Sequence, residues 1–409
     1  MLAVAICAGF AGNPPTRLPL SDRRFALIDR DNFDEVLARI APELHLPFGT
    51  LRFNSLDSFE PLGIARQVPA LARLLDGEPP PEEAPASPPA PQPQASPPPG
   101  GLLDEILAQA EGAPARENPF VRSLVDEALK GARTYRKEDP RARQAILAAV
   151  AAGVCQVLHH PEFQALESAW RCLHRLVLAS DTGTDLKLRV IDARLNEASE
   201  VAQRAFHGGQ PFGLLILGYD VGPGEAGLLR AMVERGGRVI AGASPRLVGV
   251  DDWRRWKPAE GEDPQSGREF AEWRELRGSP AASRLTLVGP RVMARLPYGK
   301  GLREAEGMPD MEEVGRWPSG KPRALPHEQH LWGCASYLCA EALLAREEEV
   351  GRLPAFVYEE EGEMEMKCPV EAGLGAPQAE VMAQLGLLGV VPIPRTDRVR
   401  LAGAWSLAG

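Results

Sequence analysis

Between Glu78 and Gly100 the chain reads EPPPEEAPASPPAPQPQASPPPG, and no other feature restricts its fold as strongly. The run has no large apolar side chain to bury against a core, and its prolines favour extended polyproline II. At ~3.1 Å per residue it reaches on the order of 70 Å when fully extended. A chain interrupted in this way is expected to fold as unequal parts. Residues 1–77 precede the linker (78–100), a short amphipathic helix with its connector follows over 101–117, and the main body spans 118–409. With 409 residues, 44% of them hydrophobic, there is material for at least one sizeable core.

The formal net charge of −10 argues against a nucleic-acid partner, since such domains are usually basic. No apolar run approaches the ~18–20 residues needed to span a bilayer, so direct membrane insertion is not expected. The six cysteines, Cys7, Cys155, Cys172, Cys334, Cys339 and Cys368, are sparse and sit in apolar contexts, which fits a reducing cytosol better than a disulfide framework. Met1 to Gly12, MLAVAICAGFAG, has the apolar character of a short export signal but no basic n-region, and reads as a buried first strand.

Periodicity places both parts in the α/β class. Before the linker, LAVAICAGF, FALID (Phe25 to Asp29) and TLRF (Thr50 to Phe53) are strand-like. Asn32 with Glu35 forms a capping-box pattern ahead of the apolar face of Val36, Leu37 and Ile40. After it, Leu102 to Gln109 is amphipathic, and Asp139-Pro140 starts an alanine-rich helix running to about Leu158. Pro161 begins another helix, with Phe163, Leu166, Trp170, Leu173 and Val177 forming one stripe. LKLRV (Leu186 to Val190), FGLLILGYD (Phe212 to Asp220), RVIAGAS (Arg238 to Ser244) and LTLVG (Leu285 to Gly289) are strands alternating with helices.

Candidate chemistry is thin. Gly222 to Gly227, GPGEAG, matches GxGxxG between a strand and a helix, the context of a dinucleotide fingerprint. Glu225, however, would stand where a pyrophosphate must bind, so a tight strand-to-helix turn is the favoured reading and a nucleotide-binding enzyme the weaker one. His327 and His330 are three apart rather than four, and with Cys334 and Cys339 on a helix starting near Leu331 they read as core and capping residues, not zinc ligands. Lys367 could lower the Cys368 thiol pKa, but a Cys-Pro turn in the core is the simpler reading. Glu359 to Glu365 reads as a solvated acidic loop. His159 and His160 read as residues at a helix junction.

Several runs in fixed order carry a specific resemblance: HHPEFQALESAW (His159 to Trp170), GASPRL (Gly242 to Leu247), RLPYG (Arg295 to Gly299), HLWGCASYL (His330 to Leu338) and MEMKCPVE (Met364 to Glu371). From about Leu102 onward the chain resembles the large subunit of the type VI secretion contractile sheath. PLSDRRFALIDRDNFDEVLARIAPEL with SLDSFEP (Ser55 to Pro61) resembles the front of the small sheath subunit, so the whole looks like a fusion of the two. The resemblance implies a cytoplasmic, non-enzymatic subunit without cofactor, polymerising around an inner tube protein and ejecting it by contraction. Sheath small and large subunits, the baseplate and an AAA+ disassembly ATPase are the implied partners. Leu102, Leu103, Asp104, Glu105, Ile106, Leu107, Ala108 and Gln109 resemble the helix that this ATPase grips. The small-subunit likeness stops near Leu75, and typical large subunits continue past AGAWSLAG with strands that join neighbouring units. An adaptor or cap that binds sheath ends without forming tubes is the alternative.

Overall fold

The computed structural model describes residues 2–76, 140–258 and 263–408. The first segment contributes β1 (Leu2–Ala8), β2 (Ala26–Ile28), α1 (Phe33–Ile40), a hairpin of β3 (Glu43–Leu46) and β4 (Gly49–Arg52), and two short helices, α2 (Pro61–Gln67) and α3 (Pro69–Leu75). Then α4 (Pro140–Leu158) and α5 (Pro161–Ala179) lead into an alternating series. It runs β5 (Leu186–Asp192), α6 (Ala198–His207), β6 (Leu214–Val221), α7 (Ala226–Val233), β7 (Arg238–Ala243), α8 (Ala271–Arg277) and β8 (Leu285–Gly289). Beyond it β9 (Val292–Met293) pairs with β10 (Trp332–Gly333), followed by α9 (Ala335–Ala345) and β11 (Glu349–Val350). The last elements are a hairpin of β12 (Phe356–Glu360) and β13 (Glu363–Lys367), then α10 (Ala376–Gln384), β14 (Leu388–Pro392) and β15 (Val399–Gly403).

Nine strands make one sheet in the order β11-β15-β14-β8-β7-β6-β1-β5-β2. From β5 to β14 neighbours run parallel, while β2 at one edge and β15 and β11 at the other are antiparallel. The two parts of the sequence therefore share a sheet. β1, from before the proline-rich stretch, lies between β5 and β6, from after it: Val4 stands opposite Leu188 on one side and Leu214 on the other.

Alternation along the strands sorts side chains into two layers. Val4, Ile6 and Ala8 of β1 join Leu214, Ile216 and Ile240 under α5 and α9, with α1 to α4 extending that layer. Ala5 and Cys7 join Leu215, Leu217, Val239 and Leu285 under α6, α7, α8 and α10. Helices on both faces of a largely parallel sheet are the doubly wound α/β arrangement. Its parallel strands read as near-continuous apolar runs because both faces are covered.

Most elements fall where periodicity placed them, and three local readings are corrected. Asn32 precedes α1 but makes no capping box. Its Oδ1 accepts the Asp29 N–H at 3.0 Å, and Asp29 Oδ1 accepts the Asn32 N–H at 3.1 Å, so a local turn takes the groups a cap would need. The helix expected from Leu331 begins at Ala335, because Trp332 and Gly333 pair with Met293 and Val292 and Cys334 lies outside the helix. The acidic run Glu359 to Glu365 is not a loop but most of the β12–β13 hairpin, turned at Glu361 and Gly362, both at positive φ. The Lys367–Cys368 pair ends that hairpin, and Lys367 Nζ lies 5.7 Å over the Trp332 ring. Leu102 to Gln109 and the linker lie outside the described residues.

Candidate functional site: the buried interface between the two segments

The contacts between residues 2–76 and the rest of the chain form the most developed polar and aromatic arrangement among the described residues. Beneath β1, α5 turns its stripe toward the first segment. Trp170 Nε1 donates to the Phe10 carbonyl at 3.0 Å, and its ring lies 5.0 Å from Phe10 and 5.8 Å from Phe33. Phe53 and Phe59 stack at 4.2 Å, with Phe163 6.0 Å from each. Pro161 opens α5 as the sequence suggested, and His160 Nδ1 accepts the Glu162 N–H at 3.3 Å.

Behind these rings runs an ion network that links the distant motifs. Arg295 is buried. Its Nε donates to Glu167 Oε1 at 2.8 Å and its Nη1 to Glu313 Oε2 at 2.8 Å, and its guanidinium lies 4.5 Å over the Tyr298 ring. Arg171, one turn from Glu167, donates to it at 2.7 Å and also reaches Glu60 at 3.1 Å and the Tyr298 hydroxyl at 3.2 Å. Glu60, at the start of α2 in the first segment, additionally accepts from Tyr298 at 2.9 Å and from Arg303 at 2.7 Å. Glu313 further accepts the Tyr298 N–H at 2.8 Å and lies 3.1 Å from His159 Nε2.

The electrostatics are self-consistent. Burial alone would push the Glu313 carboxyl up, but Arg295 and the hydrogen bonds from His159, Arg295 and Tyr298 hold it down to about 2. Burial opposes the Arg295 charge, and Glu167 with Glu313 more than reverses that, leaving the cation firmer than usual. Glu60 is likewise held below its ordinary range: Arg171 and Arg303 outweigh its burial. Charges this deep persist only when paired. The network locks α2, α5 and the Arg295–Tyr298 turn into one arrangement.

A second set of ties binds β1 to the other side of the interface. Ala11 N–H donates to Asp192 Oδ1 at 2.8 Å, Arg17 lies 3.4 Å from the same carboxylate, and Arg23 holds Glu197 at 2.9 and 3.0 Å. Asn13 Nδ2 reaches Glu162 Oε2 at 2.7 Å.

Over the carboxyl ends of β1 and β6 opens a cleft of about 780 Å³, where doubly wound sheets commonly take ligands. Within it Arg291 Nε donates to Glu371 Oε2 at 3.0 Å and His327 Nε2 lies 3.6 Å from Glu371, while the buried His327 Nδ1 and His330 Nε2 have no hydrogen-bond partner. Against the push of burial, the His327 and Arg291 hydrogen bonds hold Glu371 at about 2. Burial, with Asp220 beside it, pushes the Cys334 thiol well up, which favours its protonated form. Burial raises the Cys368 thiol as well, against the pull of Lys367. The Gly222–Gly227 turn is not part of this cleft. The Glu225 side chain folds back to accept the Gly222 N–H at 2.7 Å, occupying a donor that a phosphate would need. Among the described residues no group of three or more His, Cys, Asp or Glu side chains converges as metal ligands.

Two family models match the chain. Residues 142–207 and 201–408 match the model described as EvpB/VC_A0108, tail sheath N-terminal domain (VipB), and residues 2–78 match the type VI secretion system model for VipA, VC_A0107 or Hcp2. The chain belongs to the type VI secretion sheath family. It is 28% identical over 353 residues to the type VI secretion system sheath protein TssC1 of Pseudomonas aeruginosa, covering 75% of this chain and 69% of that protein. The interface just described is thus the junction of a small-subunit-type segment with a large-subunit-type one. The sheath motifs at HHPEFQALESAW and RLPYG supply its network: Glu167 and Trp170 come from the first, Arg295 and Tyr298 from the second. Sequence reasoning read the first as a packing stripe and missed the buried charges of Glu167, Arg295, Glu313 and Glu60. A carboxylate inside an apolar stripe, as in ALESAW, was the signal available.

Proposed function

We propose that this chain is a structural subunit of a contractile sheath that polymerises in the cytoplasm around an inner tube and drives it outward on contraction. The observation that carries the reading is the ordered match to both sheath families along one chain whose two matched parts complete one sheet. The mechanical role suits the interior: a core fixed by paired buried charges moves as a rigid body, so contraction free energy is stored and released at contacts between subunits, as a shift between two packings. Among the described residues no single helix is long and apolar enough to cross a membrane.

The partners follow from the same family. Other sheath subunits meet it along the tube wall, the inner tube protein lines the lumen, and the baseplate holds one end. Leu102 to Gln109 would serve as the handle for the AAA+ disassembly ATPase, its apolar side entering a groove in the helix-in-groove manner. Negative-stain electron microscopy of the purified protein, alone and with the other sheath subunits of its cell, tests the proposal. Tubes or stacked rings support it, decoration confined to tube ends replaces it with the adaptor reading, and a monomer that enters no assembly refutes both.

A further inference from the structure

The segment that matches the small-subunit family supplies a central strand rather than an appendage, and this has a consequence for what the protein can bind. We infer that residues 2–76 act as a built-in small subunit. They fill the strand site between β5 and β6 in cis, so the protein takes no separate small subunit there, and one polypeptide stands where two would otherwise meet. The identity of the excluded partner rests on the sheath reading above; the occupancy of the site does not.

Both hydrogen-bonding edges of β1 are used. It runs in register with β5 from Leu2 opposite Leu186 to Ala8 opposite Asp192, and with β6 from Val4 opposite Leu214 to Cys7 opposite Leu217. Val4, Ala5, Ile6 and Cys7 are fully buried, two toward each helical layer, so the strand is part of both cores at once. Without it β5 and β6 would each present an unpaired edge and the sheet would be split. An incoming small subunit could enter only by expelling this segment. Expulsion would break both ladders, the Trp170–Phe10 hydrogen bond, the Arg23–Glu197 pair and all three interactions of Glu60.

The covalent connection adds a second bias. It keeps the segment beside its own site at an effective concentration on the order of 0.1–1 mM, well above a free competitor at micromolar levels. The junction is also closed locally, since α3 packs on α4: a methyl group on Gly153 would lie 2.6 Å from a Leu71 methyl. Among the described residues the sheet's edge strands are short, three residues in β2 and two in β11, against seven in β1.

The test keeps the full chain. A site-specific protease sequence is inserted within residues 78–100, a fluorescent label is placed on the first segment, and the folded protein is cut. The two pieces are expected to co-elute as one species at one-to-one stoichiometry in native buffer and to separate only in denaturant. When the cut, labelled protein is incubated with excess uncut, unlabelled chain, the label is expected to stay with its original partner. Cut Glu60→Gln protein, which keeps both β1 ladders, should release the labelled piece at a lower denaturant concentration than cut wild type. Separation of the pieces in native buffer, or transfer of label onto uncut chains, overturns the inference. Pieces that stay paired while electron microscopy finds no assembly leave this inference standing and remove the sheath reading instead.

Discussion

Replacing Arg295 by Met keeps an apolar stem of similar length and removes a cation that joins two buried carboxylates, Glu167 and Glu313. The variant loses the 2.8 Å contacts to Glu167 and Glu313 and the guanidinium over Tyr298. Glu167 keeps Arg171 on Oε1, while its buried Oε2 already has no hydrogen-bond partner. Glu313 keeps only His159 and the Tyr298 N–H. Breaking a buried pair by removing one partner costs about 3–5 kcal/mol. The Glu313 carboxyl gives an independent figure: its shift from 4.5 to about 2 corresponds to about 3 kcal/mol at ~1.36 kcal/mol per unit. Because the folded pKa lies below the unfolded one, this stabilisation is complete above the unfolded value of 4.5 and lost as pH falls through about 2. Urea denaturation followed by circular dichroism should therefore show a full loss in Arg295→Met near neutral pH and a narrowing gap to wild type below the unfolded pKa. Adding Glu313→Gln should restore part of the loss, since the stranded charge goes with it. A neutral-pH loss under about 1 kcal/mol, or no recovery in the double variant, would mean that the network does not hold this interface as argued.

Three further outcomes follow from particular contacts. Trp170→Phe leaves the Phe10 carbonyl buried without its 3.0 Å donor, so urea titration should show a loss of about 1–3 kcal/mol; an unchanged midpoint would count against the bond. Glu225→Ala removes the acceptor that holds the Gly222 N–H and should cost about 1 kcal/mol in the same titration. Neither wild type nor that variant should gain thermal stability from ATP or NAD, and a ligand-dependent rise in Tm would revive the nucleotide reading. In Gly333→Ala the new methyl would lie 2.2 Å from Cys172 Sγ, an overpacking expected to cost about 1–3 kcal/mol, and Cys172→Ala in the same chain should relieve it measurably.

Local pattern gave much of the element order. Pro161 marked the start of α5 because proline suits a first helical turn, and the apolar runs at Leu214, Arg238 and Leu285 marked strands because a sheet covered on both faces needs no polar alternation. Where the local reading failed, a competing partner had taken the groups, near in one case and distant in the other. Asp29 engages Asn32, and Val292 and Met293 hold Trp332 and Gly333 as a strand, delaying the helix to Ala335. The candidate site was legible only in pieces. Glu167, Arg295 and Glu60 are separated by more than a hundred residues in each case, and no periodicity connects a carboxylate to an arginine that far away.

The sequence by itself determined the α/β class, the helices and strands with strong periodicity, and the sheath family, since each of these is written in short-range spacing or in motif order. Only the tertiary structure decided that the two segments share one sheet, with β1 between β5 and β6, and that the sheath motifs meet around Arg295. Strand neighbours and buried ion pairs are chosen by the closing of the whole core, where each charge and each strand edge must find a partner, and that choice is made across the chain rather than along it.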